Sequence, residues 1–202
     1  MFGMKRLMAG AALVAALALA GAAQTGTAQA GEVFGGAYAH GVGTKQSQEG
    51  GADFMAGVRS ERIDGLWWLF KPAVHGMVSF NTNVDTHFIA GGFNWPIPIL
   101  HSQRWYVRPG IGLAYTTGEA DIGNAFDARV SASERARRAR LAATRIDFGS
   151  SVLFEPELAL GYRINDAWKV EASFVHLSNG QILHSGKNQG LDDVGVRLSR
   201  RF

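Results

Sequence analysis

The sequence has 202 residues, 20 Lys and Arg against 17 Asp and Glu, and no cysteine. The absence of cysteine excludes a disulfide framework and a thiolate metal site. The basic excess is small and partly confined to the N-terminus, so it makes no case for nucleic-acid binding.

In chain order, residues 1–30 read as a secretory signal peptide. Lys5 and Arg6 supply the positive region, Leu7–Ala23 the apolar run, and Ala28-Gln29-Ala30 the small-residue cleavage site. A retained membrane anchor is the alternative, and the cleavage site speaks against it. Cleavage after Ala30 takes two basic residues and no acids, leaving 18 against 17 in a mature chain of residues 31–202. That length fits one domain. No later segment approaches the ~20 apolar residues of a spanning helix.

From Gly31 the chain falls into eight alternating segments, at about 33–44, 52–62, 67–80, 84–97, 104–117, 148–164, 168–178 and 192–202. The fifth sets Trp105, Val107, Ile111, Leu113 and Tyr115 on one face against Arg104, Arg108, Gly110 and Gly112 on the other. The sixth opposes Val152, Phe154, Leu158 and Leu160 to Glu155, Glu157 and Arg163, and the second opposes Phe54, Ala56 and Val58 to Asp53, Arg59 and Glu61. Such alternation suits either a lipocalin-like barrel with its apolar face inward or an outer-membrane barrel with that face toward lipid.

The tryptophans decide. For strands running up and down, Trp67, Trp68, Trp105 and Trp168 begin strands at the edge where Trp95 ends one, which makes an interfacial aromatic girdle. Turns on that side (Ile63–Leu66, Ile99–Gln103, Asn165–Ala167) are short, and the opposite side carries the long loops Gly118–Asp147 and Asn179–Leu191. The expected fold is all-β, an eight-stranded antiparallel transmembrane β-barrel of the outer-membrane type. Its predicted interior is a salt-bridged set of Asp53, Arg59, Glu61, Arg104, Arg108, Glu155, Glu157, Arg163, Lys169, Glu171 and Arg197. A barrel of eight strands is filled by side chains and leaves no pore.

Three polar residues break the apolar parity. In the last two segments even-numbered Val170, Ala172, Phe174, Val194, Val196 and Leu198 share the lipid face with His176, Ser178 and Asp192, while Asp193 falls on the other. Ionisable groups facing lipid cost free energy unless partnered. A serine becomes a nucleophile beside a base, and the base needs an orienting acceptor. Spacing alone leaves two readings open, a catalytic triad or polar contacts to lipid headgroups.

The stretch FVHLSNG with Asn188-Gln189-Gly190-Leu191-Asp192 resembles the lipid A 3-O-deacylase family of outer-membrane barrels, whose motif pairs H-x-S-N with N-x-G-x-E. The specific resemblance spans roughly the last 30 residues. It implies His176 as base, Ser178 as nucleophile and Asp192 as acid. Asn179, Gly180 and Asn188 become candidates for the oxyanion hole or substrate positioning. Asp192 stands where the family usually has Glu, and the Gln181–Lys187 loop is a residue or two longer. The resemblance implies a serine esterase of the Gram-negative outer membrane that removes an ester-linked, 3-O acyl chain from lipid A, with lipopolysaccharide and outer-membrane lipid as partners. No cofactor or metal is expected, and homodimerisation has no support in the sequence. The alternatives are a non-catalytic barrel with an adhesion or membrane-integrity role, and a lipocalin-like binder that the tryptophan rim disfavours.

In the long loop, Ser131 and Glu134 form a candidate helix capping box. Arg135, Arg137, Arg138, Arg140 and Arg145 suit either lipopolysaccharide phosphates or a solvated charged surface. His40, His75, His87, His101 and His184 show no metal-ligand spacing.

Overall fold

The structure is a computed structural model that describes residues 31–43 and 49–202. The predicted signal peptide lies outside the described residues. Eight strands follow one another: β1 Gly31–Ala39, β2 Ala52–Ser60, β3 Ala73–Asn81, β4 Phe88–Asn94, β5 Trp105–Thr116, β6 Val152–Arg163, β7 Trp168–Leu177 and β8 Leu191–Arg201. Past a break at Trp95-Pro96, the pair Ile97–Pro98 continues β4 along β5. Each strand lies antiparallel to the next, and β8 pairs with β1 from Glu32↔Arg201 to Ala39↔Val194. That seam closes the barrel and leaves no sheet edge, the condition for strands to cross a membrane.

The alternation follows the pleat. Phe54, Leu113, Leu158, Phe174 and Val196 point outward and are 40–58% exposed. Among the described residues no helix is long and apolar enough to cross a membrane. An apolar belt around a closed barrel is the surface that a bilayer solvates.

The interior is polar in its middle and toward the chain termini. Arg108 donates to Glu157 Oε1 at 2.6 Å and to both Glu171 oxygens at 3.0 and 2.6 Å. Arg197 donates to Glu171 at 2.7 Å and Glu157 at 2.8 Å, and Tyr106 gives its hydroxyl proton to Glu171 at 2.7 Å. Glu32 takes Arg59 at 2.9 Å and also Lys169. Each carboxylate thus meets several donors, the condition under which buried charge is tolerated. Toward the loop end Phe88, Ile146, Phe148, Leu153, Leu177 and Leu191 add an apolar filling beside the buried polar His40, Asp53 and Asp193.

Two expectations need correction. Glu61, Arg104 and Arg163 are exposed at the rim: Glu61 pairs with Arg201, Arg104 reaches the Tyr162 hydroxyl and Arg163 the Gln103 carbonyl. Parity binds a side chain to a face only inside the hydrogen-bonded ladder, and these three sit at or beyond its ends. The third strand begins at Ala73, not at Trp67. Asp64–Leu69 instead form a 3₁₀ turn ended by Phe70 and Lys71 in the left-handed region. Trp67 and Trp68 lie on that turn, still at the terminal rim, and Trp95 is tied to it by Nε1 donating to the Leu69 carbonyl at 2.9 Å.

The long loop carries a helix, α1, Ala132–Thr144. Ser131 caps it by accepting from the Glu134 N–H at 3.2 Å. The other half of the capping box is absent, because the Glu134 carboxylate takes Arg137 and Arg138. Arg135 donates to the Val130 carbonyl and Arg145 pairs with Asp85.

Candidate active site

The last two strands carry the site. His176 and Asp192 are direct cross-strand partners of β7 and β8 on the outward face. Their side chains meet, His176 Nδ1 to Asp192 Oδ1 at 2.5 Å, and are 32% and 20% exposed. Asp192 is held from behind, since its carbonyl accepts the Val42 N–H at 2.7 Å across the seam. Asp193 points inward and is 1% exposed. The pleat therefore sends neighbouring aspartates to opposite sides of the barrel wall.

Ser178 continues the outward face just beyond β7. Its backbone forms both hydrogen bonds of a bridge to Phe154, at 2.7 and 3.2 Å. It lies two residues from His176 on the same outward parity. Among the described residues its hydroxyl makes no hydrogen bond to His176. Such contacts tighten with substrate bound.

The loop after Ser178 is built by its own residues. Gly180 and Gln181 adopt φ of 62° and 55°, and Asn179 Oδ1 accepts the Gln181 N–H at 2.6 Å. This is an Asx-turn, made by the residue types that tolerate it. Asn179 Nδ2 donates to the Phe148 carbonyl at 2.7 Å and the Lys187 carbonyl at 2.8 Å. Its backbone N–H goes to Asn188 Oδ1 at 2.8 Å. Every donor of Asn179 is thus committed, so it is corrected from oxyanion candidate to a clamp that shapes the loop.

Asn188 is oriented by the same bond. Its oxygen must face the Asn179 N–H, which leaves the Nδ2 donors without a partner among the described residues. The Gly180 N–H is likewise unpaired there. Gly190 went without a role at the sequence level. A Cβ on it would stand 2.7 Å from His176 Cε1, so the bare backbone packs against the imidazole edge. Gln189 anchors this segment by exchanging hydrogen bonds with Asp147, at 2.7 and 3.2 Å.

The arrangement is an acid-bound imidazole, an adjacent serine and two spare N–H donors, open to the lipid side of the wall. It has the parts for attack on a carbonyl carbon.

The model of the family described as "Lipid A 3-O-deacylase (PagL)" matches residues 57–201. The crystal structure of the outer-membrane enzyme PagL has 17% identity over 83% of this chain and 97% of that one, with a TM-score of 0.55. A de novo designed transmembrane β-barrel matches at 9% identity over 86% of this chain and 96% of the design, TM-score 0.50. The N-terminal barrel domain of Pseudomonas aeruginosa OprF matches at 8% identity over 86% and 98%, TM-score 0.50. These structures share the fold. No curated protein sequence matches the chain. With the family pattern running through all but the first strand and a half, the chain belongs to the lipid A 3-O-deacylase (PagL) family.

Proposed function

We propose that this protein is a serine esterase of the Gram-negative outer membrane that hydrolyses the 3-O-linked acyl chain of lipid A. The observation that carries the reading is the 2.5 Å His176–Asp192 contact on the lipid-facing wall, two residues from Ser178. Asp192 holds the Nδ1–H tautomer, so Nε2 takes the Ser178 proton as Oγ attacks the ester carbonyl. The Gly180 N–H and Asn188 Nδ2 receive the developing oxyanion. The imidazolium then protonates the leaving sugar oxygen, and water, activated by the same ring, releases the fatty acid from the acyl-enzyme. The site lies on the outside of the wall because its substrate is a membrane lipid. Residues 1–30 serve as the signal that delivers the chain, and cleavage follows Ala30.

Mass spectrometry of lipid A from cells with and without the protein tests this. Loss of one hydroxyacyl group is expected, and it should vanish with Ser178→Ala or His176→Ala while heat-shift gels show a folded barrel. The double variant should be little worse than either single one, since triad members act as a unit. Unchanged lipid A in the presence of folded wild-type protein refutes the esterase and returns the barrel to a non-catalytic role.

A further inference from the structure

Among the described residues, one trio of His and acidic side chains offers ligand atoms all within 4.8 Å of one another: His40, Asp53 and Asp193. All three side chains are buried inside the barrel at the loop end, on the other side of the wall from Asp192. They come from distant parts of the sequence. His40 follows β1, Asp53 opens β2 and Asp193 lies in β8, so the trio forms only when the first and last strands pair.

The separations suit coordination. His40 Nδ1 lies 3.0 Å from Asp53 Oδ2 and 3.6 Å from Asp193 Oδ1. Ligands about 2.0–2.2 Å from a tetrahedral cation stand about 3.4 Å apart. On its far side His40 Nε2 meets Glu49 Oε2 at 3.2 Å, and Glu49 is itself fixed by the Thr86 hydroxyl at 2.6 Å and the Ile146 N–H at 3.2 Å. A carboxylate on the outer nitrogen of an imidazole, with its own donors, is the support that metal-bound histidines receive. Asp53 is braced in the same way by Asn81 Nδ2 at 2.8 Å and Ser79 Oγ at 3.2 Å.

A further fact points to a cation. Asp193 Oδ2 is buried and has no hydrogen-bond partner, although Oδ1 accepts the Gly41 N–H at 3.3 Å. A buried unpartnered carboxylate oxygen is costly, and a cation satisfies it.

We infer that His40, Asp53 and Asp193 form a buried site for one divalent transition-metal cation of the zinc or manganese class, with Glu49 orienting the imidazole. One nitrogen and two carboxylate oxygens are donors suited to these ions, and without cysteine the softer thiolate metals have no claim. Bound there, the cation pins β1, β2 and β8 together at the closing seam, one residue from Asp192.

The test uses the full barrel folded in detergent, stripped with a chelator and titrated with zinc chloride and with manganese chloride by calorimetry. One equivalent should bind, with a rise in the unfolding midpoint. Asp53→Asn and Asp193→Asn should each abolish it, Glu49→Gln should weaken it about 10–100-fold, and His101→Gln, in an exposed loop, should leave it unchanged. Absence of stoichiometric binding of both ions to wild-type protein overturns the site, as does binding that survives either aspartate change. X-ray absorption of the zinc-loaded wild-type protein needs no variant. One nitrogen with oxygens at about 2.0–2.2 Å is expected, and a shell of several imidazoles overturns the assignment.

Discussion

Replacing Gly190 by alanine isolates the placement of the imidazole. The new Cβ would lie 2.7 Å from His176 Cε1, short of ordinary contact at 3.4 Å by about 0.7 Å, with the Leu177 carbonyl at 3.4 Å limiting retreat in that direction. Gly190 does not occupy the left-handed region, so backbone strain adds nothing and the whole effect falls on the ring. A tilt of that size lengthens the 2.5 Å bond to Asp192 and swings Nε2 away from Ser178. A hydrogen bond to a charged group contributes about 1.5–3 kcal/mol. At about 1.4 kcal/mol per decade of rate, kcat should fall about 10–100-fold. KM should change little, because no surface that holds the acyl chain is removed. Fatty-acid release from lipid A in detergent micelles measures both constants, with heat-shift gels to confirm folding. A folded Gly190→Ala protein at the wild-type kcat would show that the backbone at 190 does not position the ring, and would remove His176 in this geometry as the base.

Asp192→Asn should lower turnover by about 10⁴-fold, as loss of a triad acid does, whereas Asp193→Asn should do far less to it; equal losses in the micelle assay would contradict the division of the two residues by the barrel wall. Val196, 57% exposed in the middle of β8, should cost about 2–4 kcal/mol when changed to Arg, measured by denaturant titration in lipid vesicles, and a negligible change would mean that this face does not meet lipid. Hydrogen bonds first from Arg137 and then from Arg138 hold the Glu134 carboxyl down to about 2, from 4.5. Its contribution to α1 should therefore be complete above pH 4.5 and fade as pH falls through about 2; circular dichroism showing the helix lost already at pH 4 would contradict this.

The barrel was legible because lipid enforces strict alternation. Parity put Val194, Val196 and Leu198 on one face, the tryptophan rim turned that face outward, and the same parity separated Asp192 from Asp193. Legibility failed where the ladder stops. Trp67 and Trp68 look like strand residues by side chain, yet Phe70 and Lys71 turn the backbone left-handed after them. Glu61, Arg104 and Arg163 keep the inward parity but lie where water reaches them. Within the site, His176, Ser178 and Asp192 were visible as polar residues on an apolar face. The role of Gly190 was not, because close approach of backbone to a ring leaves no trace in residue type or spacing. Asn179 looked like a donor to substrate, and only the positions of the Phe148 and Lys187 carbonyls show its amide already occupied. The His40, Asp53 and Asp193 trio depends on which strands meet at closure, and its sequence separations carry no periodic signal.

The lumen is occupied by Arg108, Arg197, Glu157 and Glu171, all buried, while the His176–Asp192 pair looks outward. A lipid cannot arrive through the barrel and must drift to it along the leaflet. Encounter is then a planar search, governed by how many lipid A molecules share each unit of membrane area. Diluting lipid A with inert phospholipid or detergent at constant total lipid A should slow the reaction, while diluting the whole suspension in buffer should leave the rate per enzyme nearly unchanged. An ordinary Michaelis constant in moles per litre would describe such a protein poorly; a mole fraction in the membrane is the natural unit.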